Sequence, residues 1–301
     1  MRPVTPPRRH IPHLLPLLCL VALLCGFTGD YHAAGIQHLI LFSSDKGGDM
    51  ELYVMHTDGT QVRQLTSNHT DDDYGRWTPD GKKILFTRGG GEDRQIWLMN
   101  SDGSGQEYIT DGWSGDISPD GKKAVVSVRS CSGYHDLYVC DTRTEKVTRL
   151  TASTADCFHP DYAGSGKQIA YQKGSGSIVN IWRIKSDCTG NTRLTSFDSS
   201  HRGCAVNPTW GAKSGRIAHE AAASGQPYYI YVMNSNGGGK IKPFASPSKQ
   251  TDPVWSPDET KLLFSADDNS GRARIYVGNM QTRKARVLLD NGANAYPCDW
   301  R

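Results

Sequence analysis

The chain has 301 residues, 37% of them hydrophobic and 22% charged, with 32 glycines and 15 prolines. That length admits one large all-β domain or two ordinary ones, and the composition is that of a globular chain with many tight turns, which excludes a disordered polymer. The formal net charge is +3, a value that Arg2, Arg8 and Arg9 account for by themselves, so no basic stripe remains to hold nucleic acid.

Residues 1–35 read as an export signal and short leader, with Arg8 and Arg9 ahead of an apolar run from Leu14 to Phe27. The run is shorter than the roughly 20 residues that span a bilayer. A cleaved signal is therefore expected over an uncleaved membrane anchor. The cleavage site is weakly marked, because His32 precedes Ala33 and Ala34 where a small residue is wanted, and Cys25 follows Leu23 and Leu24, a poor setting for lipidation. Of the eight cysteines, Cys19 and Cys25 belong to the leader. Cys131, Cys140, Cys157, Cys188, Cys204 and Cys298 remain, an even set that suits disulfides in an exported chain. Cys131 and Cys140 flank one predicted hairpin and are the expected local pair. No C-x-x-C occurs, so structural cysteines are expected and not a zinc site.

From residue 36 onward the chain repeats. Trp77-Thr-Pro-Asp-Gly-Lys-Lys-Ile-Leu-Phe86 is echoed by Ile117-Ser-Pro-Asp-Gly-Lys-Lys-Ala-Val-Val126, by Tyr162 to Tyr171, by Trp210 to Ile217, and by Trp255-Ser-Pro-Asp-Glu-Thr-Lys-Leu-Leu-Phe264. The markers at 77, 117, 162, 210, 255 and 300 keep the spacing of propeller blades. Within each unit a first strand ends at the marker, and Ser/Thr-Pro-Asp-Gly makes a tight turn into an Ile-Leu-Phe strand: proline presets the first turn angle and glycine takes the positive φ. A third strand of the type Ile-Trp/Tyr-x-Met follows, as in Ile96 to Met99 and Ile230 to Met233. A fourth ends in Leu-Thr, as at Leu65-Thr66 and Leu150-Thr151. Four antiparallel strands make one blade. The chain opens at Ile36 to Phe42 with a second strand lacking its first, and closes at Tyr296 to Trp300 with a first strand lacking its second. The expected fold is thus all-β: a six-bladed β-propeller of four-stranded antiparallel blades, one domain over residues 36–301, with one blade shared by the two ends of the chain.

The phrase W-[ST]-P-D-G-K-K-I-x-F, with I-[YW]-x-M and a final L-T, resembles the WD-like repeat of the TolB propeller family over residues 36–301. The resemblance implies the propeller fold, while export is expected from the leader. The same repeat occurs in propellers of prolyl-oligopeptidase-type peptidases and in some polysaccharide lyases, so it specifies fold more than function. Departures are Glu259 in place of glycine, an extra residue in Gly211-Ala-Lys-Ser-Gly215, and Gly164-Ser165 in place of Pro-Asp, each expected to weaken its turn. No counterpart of the α/β domain that precedes the propeller in TolB is recognised, so a TolB role is not implied.

In such blades the loop entering the first strand and the loop joining the second and third lie on one face, around a central funnel. That face collects His69, Asp72, Asp73, His135, Asp156, His159, His201, Arg202, Asp252 and Asp268, with Asp71, Tyr74, Glu92, Asp93, Arg94, Asp136 and Asp267 nearby. Asp73, Asp156 and Asp252 also suit a purely local backbone role. Trp77, Trp210, Trp255 and Trp300 recur in phase and are expected to pack between blades. No loop matches D-x-[DN]-x-[DN]-G, and no metal or cofactor is expected. A G-x-S-x-G elbow is absent, which removes the peptidase class. The expected function is a non-catalytic, monomeric scaffold for a protein, peptide or glycan at the cell envelope or outside the cell. The alternative is a lyase or hydrolase of uronate-containing polysaccharide, with His135, His159, His201 and Arg202 as candidates for proton transfer and carboxylate binding.

Overall fold

The computed structural model describes residues 39–301 except 142, 145, 246, 247 and 269, so the expected leader lies outside the described residues. Among the described residues the chain is all-β, with one 3-10 turn at Gly91–Asp93. The first unit supplies β1 (Leu39–Ser44), β2 (Glu51–His56) and β3 (Arg63–Gln64). The second has β4 (Asp72–Trp77), β5 (Lys83–Arg88), β6 (Gln95–Asn100) and β7 (Glu107–Asp111). The third has β8 (Ser114–Ile117), β9 (Lys123–Arg129), β10 (His135–Asp141) and β11 (Val147–Arg149). In the fourth are β12 (Asp156–Tyr162), β13 (Gln168–Ser175), β14 (Ile178–Lys185) and β15 (Thr192–Arg193). The fifth holds β16 (Gly203–Trp210), β17 (Arg216–Ala223) and β18 (Tyr229–Asn234). The sixth runs through β19 (Gln250–Trp255), β20 (Lys261–Asp267), β21 (Ala273–Asn279) and β22 (Ala285–Leu289), and the chain ends in β23 (Ala295–Trp300).

Four sheets are four-stranded, and in one of them β23 lies antiparallel beside β1, with Ile40 opposite Trp300 and Ser44 opposite Ala295. Units four and five depart from the expected separation and share a seven-stranded sheet. The cause is local. The β13–β14 hairpin has eight-residue strands that overrun the short β15, and the free start of β14 meets the start of β16 in a short parallel bridge, Ile178 to Gly203 and Val179 to Cys204. Unit five completes its outer edge with a single bridge between Val232 and Ile241.

The inner strands are buried almost continuously, as in β1, β2, β5 and β20, which puts apolar side chains on both faces of the sheets, as strands covered on both sides require. Each hydrophobic cluster therefore joins two neighbouring units. One packs Leu41 and Leu52 of unit one against Trp77 and Ile84 of unit two, and another packs Leu263 and Ile275 of unit six against Ile40 and Phe42 of unit one. Trp77, Trp210, Trp255 and Trp300 are all buried in these seams, in the packing role expected of them.

The Leu-Thr motif at the end of the fourth strand has a plain physical job. Thr66, Thr151 and Thr195 each accept the N–H that opens the third strand, from Leu52, Leu137 and Ile181 at 2.9, 2.9 and 3.0 Å, so the edge strand is stapled where its ladder runs out.

The three turn departures interlock. Gly164 lies so close to the next unit that a Cβ there would meet the Ala212 carbonyl oxygen at 2.0 Å. The extra residue of the Gly211–Gly215 turn turns its N–H groups outward, and the Glu259 carboxylate accepts them: from Lys213, and from Ser214 at 3.1 Å to each oxygen. Glu259 is 7% exposed and sits at φ 57°, the glycine conformation of that turn. The expected weakening is thus offset by charge-assisted bonds between adjacent units. Glu259→Ala is expected to destabilise the fold by about 1–3 kcal/mol in urea denaturation, whereas a loss near zero would show the contact to be idle.

The six described cysteines are free, and Cys131 and Cys140 do not pair. Cys131 lies in the β9–β10 turn, while Cys140 is buried near the far end of β10 opposite Ala124. Residues at opposite ends of one strand are separated by about 3.3 Å per residue, beyond disulfide reach.

Candidate functional site

The first strands of four units carry the same irregularity. β4, β12, β16 and β19 each slip register against the second strand, and the extra residues, Tyr74, His159, Asn207 and Asp252, stand at φ 51, 48, 48 and 54°. Left-handed backbone is costly for non-glycine residues and accumulates where side chains must be aimed. Here the bulges turn all four side chains into one central cavity of about 490 Å³. Pro160, Pro208 and Pro253 directly follow three of them, and a proline has no N–H to leave unpaired at a bulge.

Neighbouring units hold the bulges in place. His159 N–H donates to Ser114 Oγ at 3.0 Å, Asn207 N–H to Gln172 Oε1 at 3.0 Å and Asp252 N–H to Glu220 Oε1 at 2.9 Å. On the cavity wall Arg94 pairs with Asp73 at 3.1 Å, and its guanidinium lies over Tyr74 and Trp113 at 5.3 and 4.8 Å from the ring centroids. The Tyr74 and His159 rings are 4.7 Å apart. Burial pushes the Asp73 carboxyl up to about 7 in spite of Arg94, and burial together with Arg94 and Arg76 lowers His159 to about 3. Burial also raises Glu220 and Asp252, Glu220 further through the Asp252 charge.

Deeper in the molecule, the residues just before four of the markers converge. Asp299, Asp116 and Asp161 accept the marker N–H of another unit, from Trp77 at 2.8, Tyr162 at 2.7 and Trp210 at 2.8 Å. Arg76 occupies the same position in unit two. Its guanidinium donates to the Cys298 carbonyl and lies 3.6 Å from Asp161. Burial works against the Arg76 charge, but Asp161, Asp299 and Asp116 outweigh it and raise its pKa, while burial raises both Asp116 and Asp161.

Of the ten residues expected to share the site, the cavity brings together Asp73, His159 and Asp252. The other seven do not line it. Asp72 is fully buried, bidentate to Arg88 at 2.7 Å and bonded to Asn68. Asp156 accepts the His135 N–H at 2.9 Å and faces its Nδ1 at 3.1 Å, which makes the pair a tie between strands. Asp268 organises its own loop through Ser270 and Arg272 and pairs with Arg274 at 2.8 Å. His201 is exposed beside Asp198, and His69 and Arg202 are exposed as well. These seven lie at the rim or in local ties, whereas the bulge residues reach the funnel together with Asp71, Arg94 and Lys249 from neighbouring loops. Tyr74 and Arg94 were placed on this face by sequence, whereas Arg76, Asn207, Glu220 and Tyr296 were not. The signal for three of the four bulge residues was their place before proline: His159-Pro160, Asn207-Pro208 and Asp252-Pro253, with Tyr296-Pro297 the corresponding dipeptide in β23.

Sheets packed face to face around a charged funnel, with the last strand beside the first, are the architecture of a β-propeller. Among solved structures, TolB from Acinetobacter baumannii matches with a TM-score of 0.71 and 22% identity, over 93% of this chain and 69% of that one. A TolB-type protein from Agrobacterium tumefaciens matches at 0.65 and 16%, over 88% and 99%. An oligogalacturonate lyase from Vibrio parahaemolyticus matches at 0.56 and 15%, over 84% and 75%. No family model matches. In sequence, the uncharacterized protein Atu1656 of Agrobacterium fabrum is 27% identical over 162 residues, 51% of this chain and 53% of its own length. A TolB homologue of Chlorobium chlorochromatii is 25% identical over 163 residues, 52% of this chain and 36% of its own length. The matched stretch thus spans about half or less of these two relatives. The fold is that of a TolB-like β-propeller. Among the described residues no helix is long and apolar enough to cross a membrane.

Proposed function

We propose that residues 36–301 form one closed, six-bladed propeller, exported to the periplasm or beyond, that binds an envelope or extracellular partner in its funnel without chemistry of its own. The pairing of β23 with β1, and the apolar seam between units six and one, support closure by strands from both parts of the chain. Export rests on the leader sequence. The observation that carries the binding role is the funnel itself: four left-handed residues from four units converge on one charged cavity, an arrangement that costs stability.

The lyase reading has fold relatives, but its four candidate residues do not converge. Of its four candidates only His159 lines the cavity, and a desolvated imidazole held near pKa 3 is a weak base. Incubation with uronate polymers is expected to release no unsaturated product, and release of one would restore that reading. For the binding role, Asp73→Ala, Arg94→Ala and Asp252→Ala are expected to lower capture of the partner from an envelope extract at least tenfold, with Asp198→Ala on the rim as control. Partners retained by all three funnel variants would place the site elsewhere.

A further inference from the structure

One position of the repeat breaks its own rule. The residue after the aromatic or apolar core residue of each second strand is, in chain order, Ser43, Thr87, Ser127, Gln172, Glu220 and Ser265, each paired with the first strand and, for Thr87, Gln172, Glu220 and Ser265, with the residue just ahead of the bulge. Thr87, Ser127 and Ser265 use their hydroxyls to bond a carbonyl of the next unit, Trp113 at 3.0, Cys157 at 2.6 and Ala295 at 3.1 Å. Glu220 alone brings a charge. A buried carboxylate, with only Lys249 as a nearby free cation among the described residues, at a position that elsewhere holds a hydroxyl or an amide is the kind of local inconsistency that marks a function.

Glu220 is 3% exposed and lines the cavity. Its Oε1 is occupied by Asn207 Nδ2 at 2.6 Å and Asp252 N–H at 2.9 Å, while no hydrogen bond reaches Oε2 among the described residues. Asn207 Nδ2 also lies 3.5 Å from Asp252 Oδ1, so the two carboxylates flank one amide. Neither takes part in an ion pair among the described residues. The nearby arginines are engaged, Arg94 by Asp73 and Arg76 by Asp161, and Lys249 lies on the same wall.

We propose that the Glu220 and Asp252 carboxylates receive the ammonium group of a primary amine, presented by the partner as a lysine side chain whose methylenes lie on Pro208, Pro253 and Pro297. This rests on the funnel being the partner site. An ammonium has three divergent donors and can satisfy a single free oxygen on each carboxylate. A guanidinium seeks both oxygens of one carboxylate, and Glu220 Oε1 is already taken twice. Calcium seeks six to eight oxygens, more than this pair offers. Apolar rings beside the carboxylates match the alkyl stem of lysine.

The test is calorimetric titration of the purified protein with the peptide acetyl-Gly-Gly-Lys-Gly-Gly-amide. Parallel titrations use its Nε-acetyllysine and arginine counterparts and calcium chloride alone. The lysine peptide is expected to bind, the neutral and arginine peptides to bind at least tenfold more weakly, and Glu220→Gln and Asp252→Asn each to reduce lysine-peptide affinity at least tenfold with melting curves confirming the fold. Equal binding of the acetylated peptide, unchanged affinity in Glu220→Gln, no binding of the lysine peptide, or displacement of it by calcium would overturn the assignment. If the amine fails while Arg94→Ala still abolishes partner capture, only the ammonium assignment falls; if the funnel variants also keep their partners, the site itself is wrong.

Discussion

Replacing Arg76 by methionine is expected to destabilise the protein by about 3–5 kcal/mol, the largest effect of any single change considered, because it leaves three carboxylates around an empty centre. Asp299, Asp116 and Asp161 are each fixed by a marker N–H of another unit, so none can swing out to water without releasing a backbone donor. Their mutual repulsion is held down by one guanidinium. A loss of that size is a large fraction of the roughly 5–15 kcal/mol that holds a domain together. Urea denaturation measures it, and a second change makes it specific. Asp161→Asn in the Arg76→Met background keeps an oxygen for the Trp210 N–H but removes a charge, so it is expected to restore at least half of the lost stability. A loss under about 1 kcal/mol in Arg76→Met, or no recovery in the double variant, would show that charge neutralisation at the centre is not what Arg76 supplies.

The second large effect concerns His219 and appears only in acid. In each second strand the residue before the funnel position belongs to the core: Phe42, Phe86, Val126, Tyr171, His219 and Phe264. His219 has no exposed surface, and neither ring nitrogen has a hydrogen-bond partner among the described residues. Burial, with a smaller contribution from Lys240, lowers its pKa to about 3. In the unfolded chain the ring takes a proton near its ordinary pKa of 6.5. The unfolded state therefore binds more protons between those values, and stability is lost as pH falls from 6.5 toward 3, by on the order of 4 kcal/mol. His219→Phe restores the core residue of the repeat and abolishes that loss. The variant is expected to gain about 1–3 kcal/mol over the natural protein near neutral pH and a further margin that widens steadily in acid. The raised carboxyls Asp73 and Glu220 act in the opposite sense, since protons bound to their folded forms add stability as pH falls, but they are common to both proteins and cancel in the difference. A gap between the two unfolding curves that stays constant from about pH 7 to about pH 4.5 would show that His219 is not held neutral by the fold.

Both effects arise at repeat positions where one unit departs from the commonest residue. Arg76 stands in a row that also holds Asp116, Asp161 and Asp299, with Thr209 and Val254 in units five and six, and His219-Glu220 stands where three units have Phe-Ser or Phe-Thr. Such departures were readable in principle once the units were aligned, and the three turn departures were in fact read. Their sign was misjudged, because Glu259 and the Gly211–Gly215 turn look like two separate defects until they are seen to bond each other across a seam.

The repeat grammar by itself determined the strand order within a unit, the turns, the buried tryptophans and the partnership of the terminal strands, since all of these follow from local turn chemistry and from a two-residue periodicity. Three residues it placed on one face, Asp73, His159 and Asp252, line the cavity. Only the tertiary structure decided which face residues reach the funnel. A one-residue bulge reverses where a side chain points, and whether an aspartate ends at the centre, as Asp252 does, or in a buried pair with arginine, as Asp72 does, depends on a neighbour far away in sequence. The same holds for the sheet shared by units four and five and for the unpaired Cys131 and Cys140: register and reach are set by packing between units, and sequence spacing carries no distance across a seam.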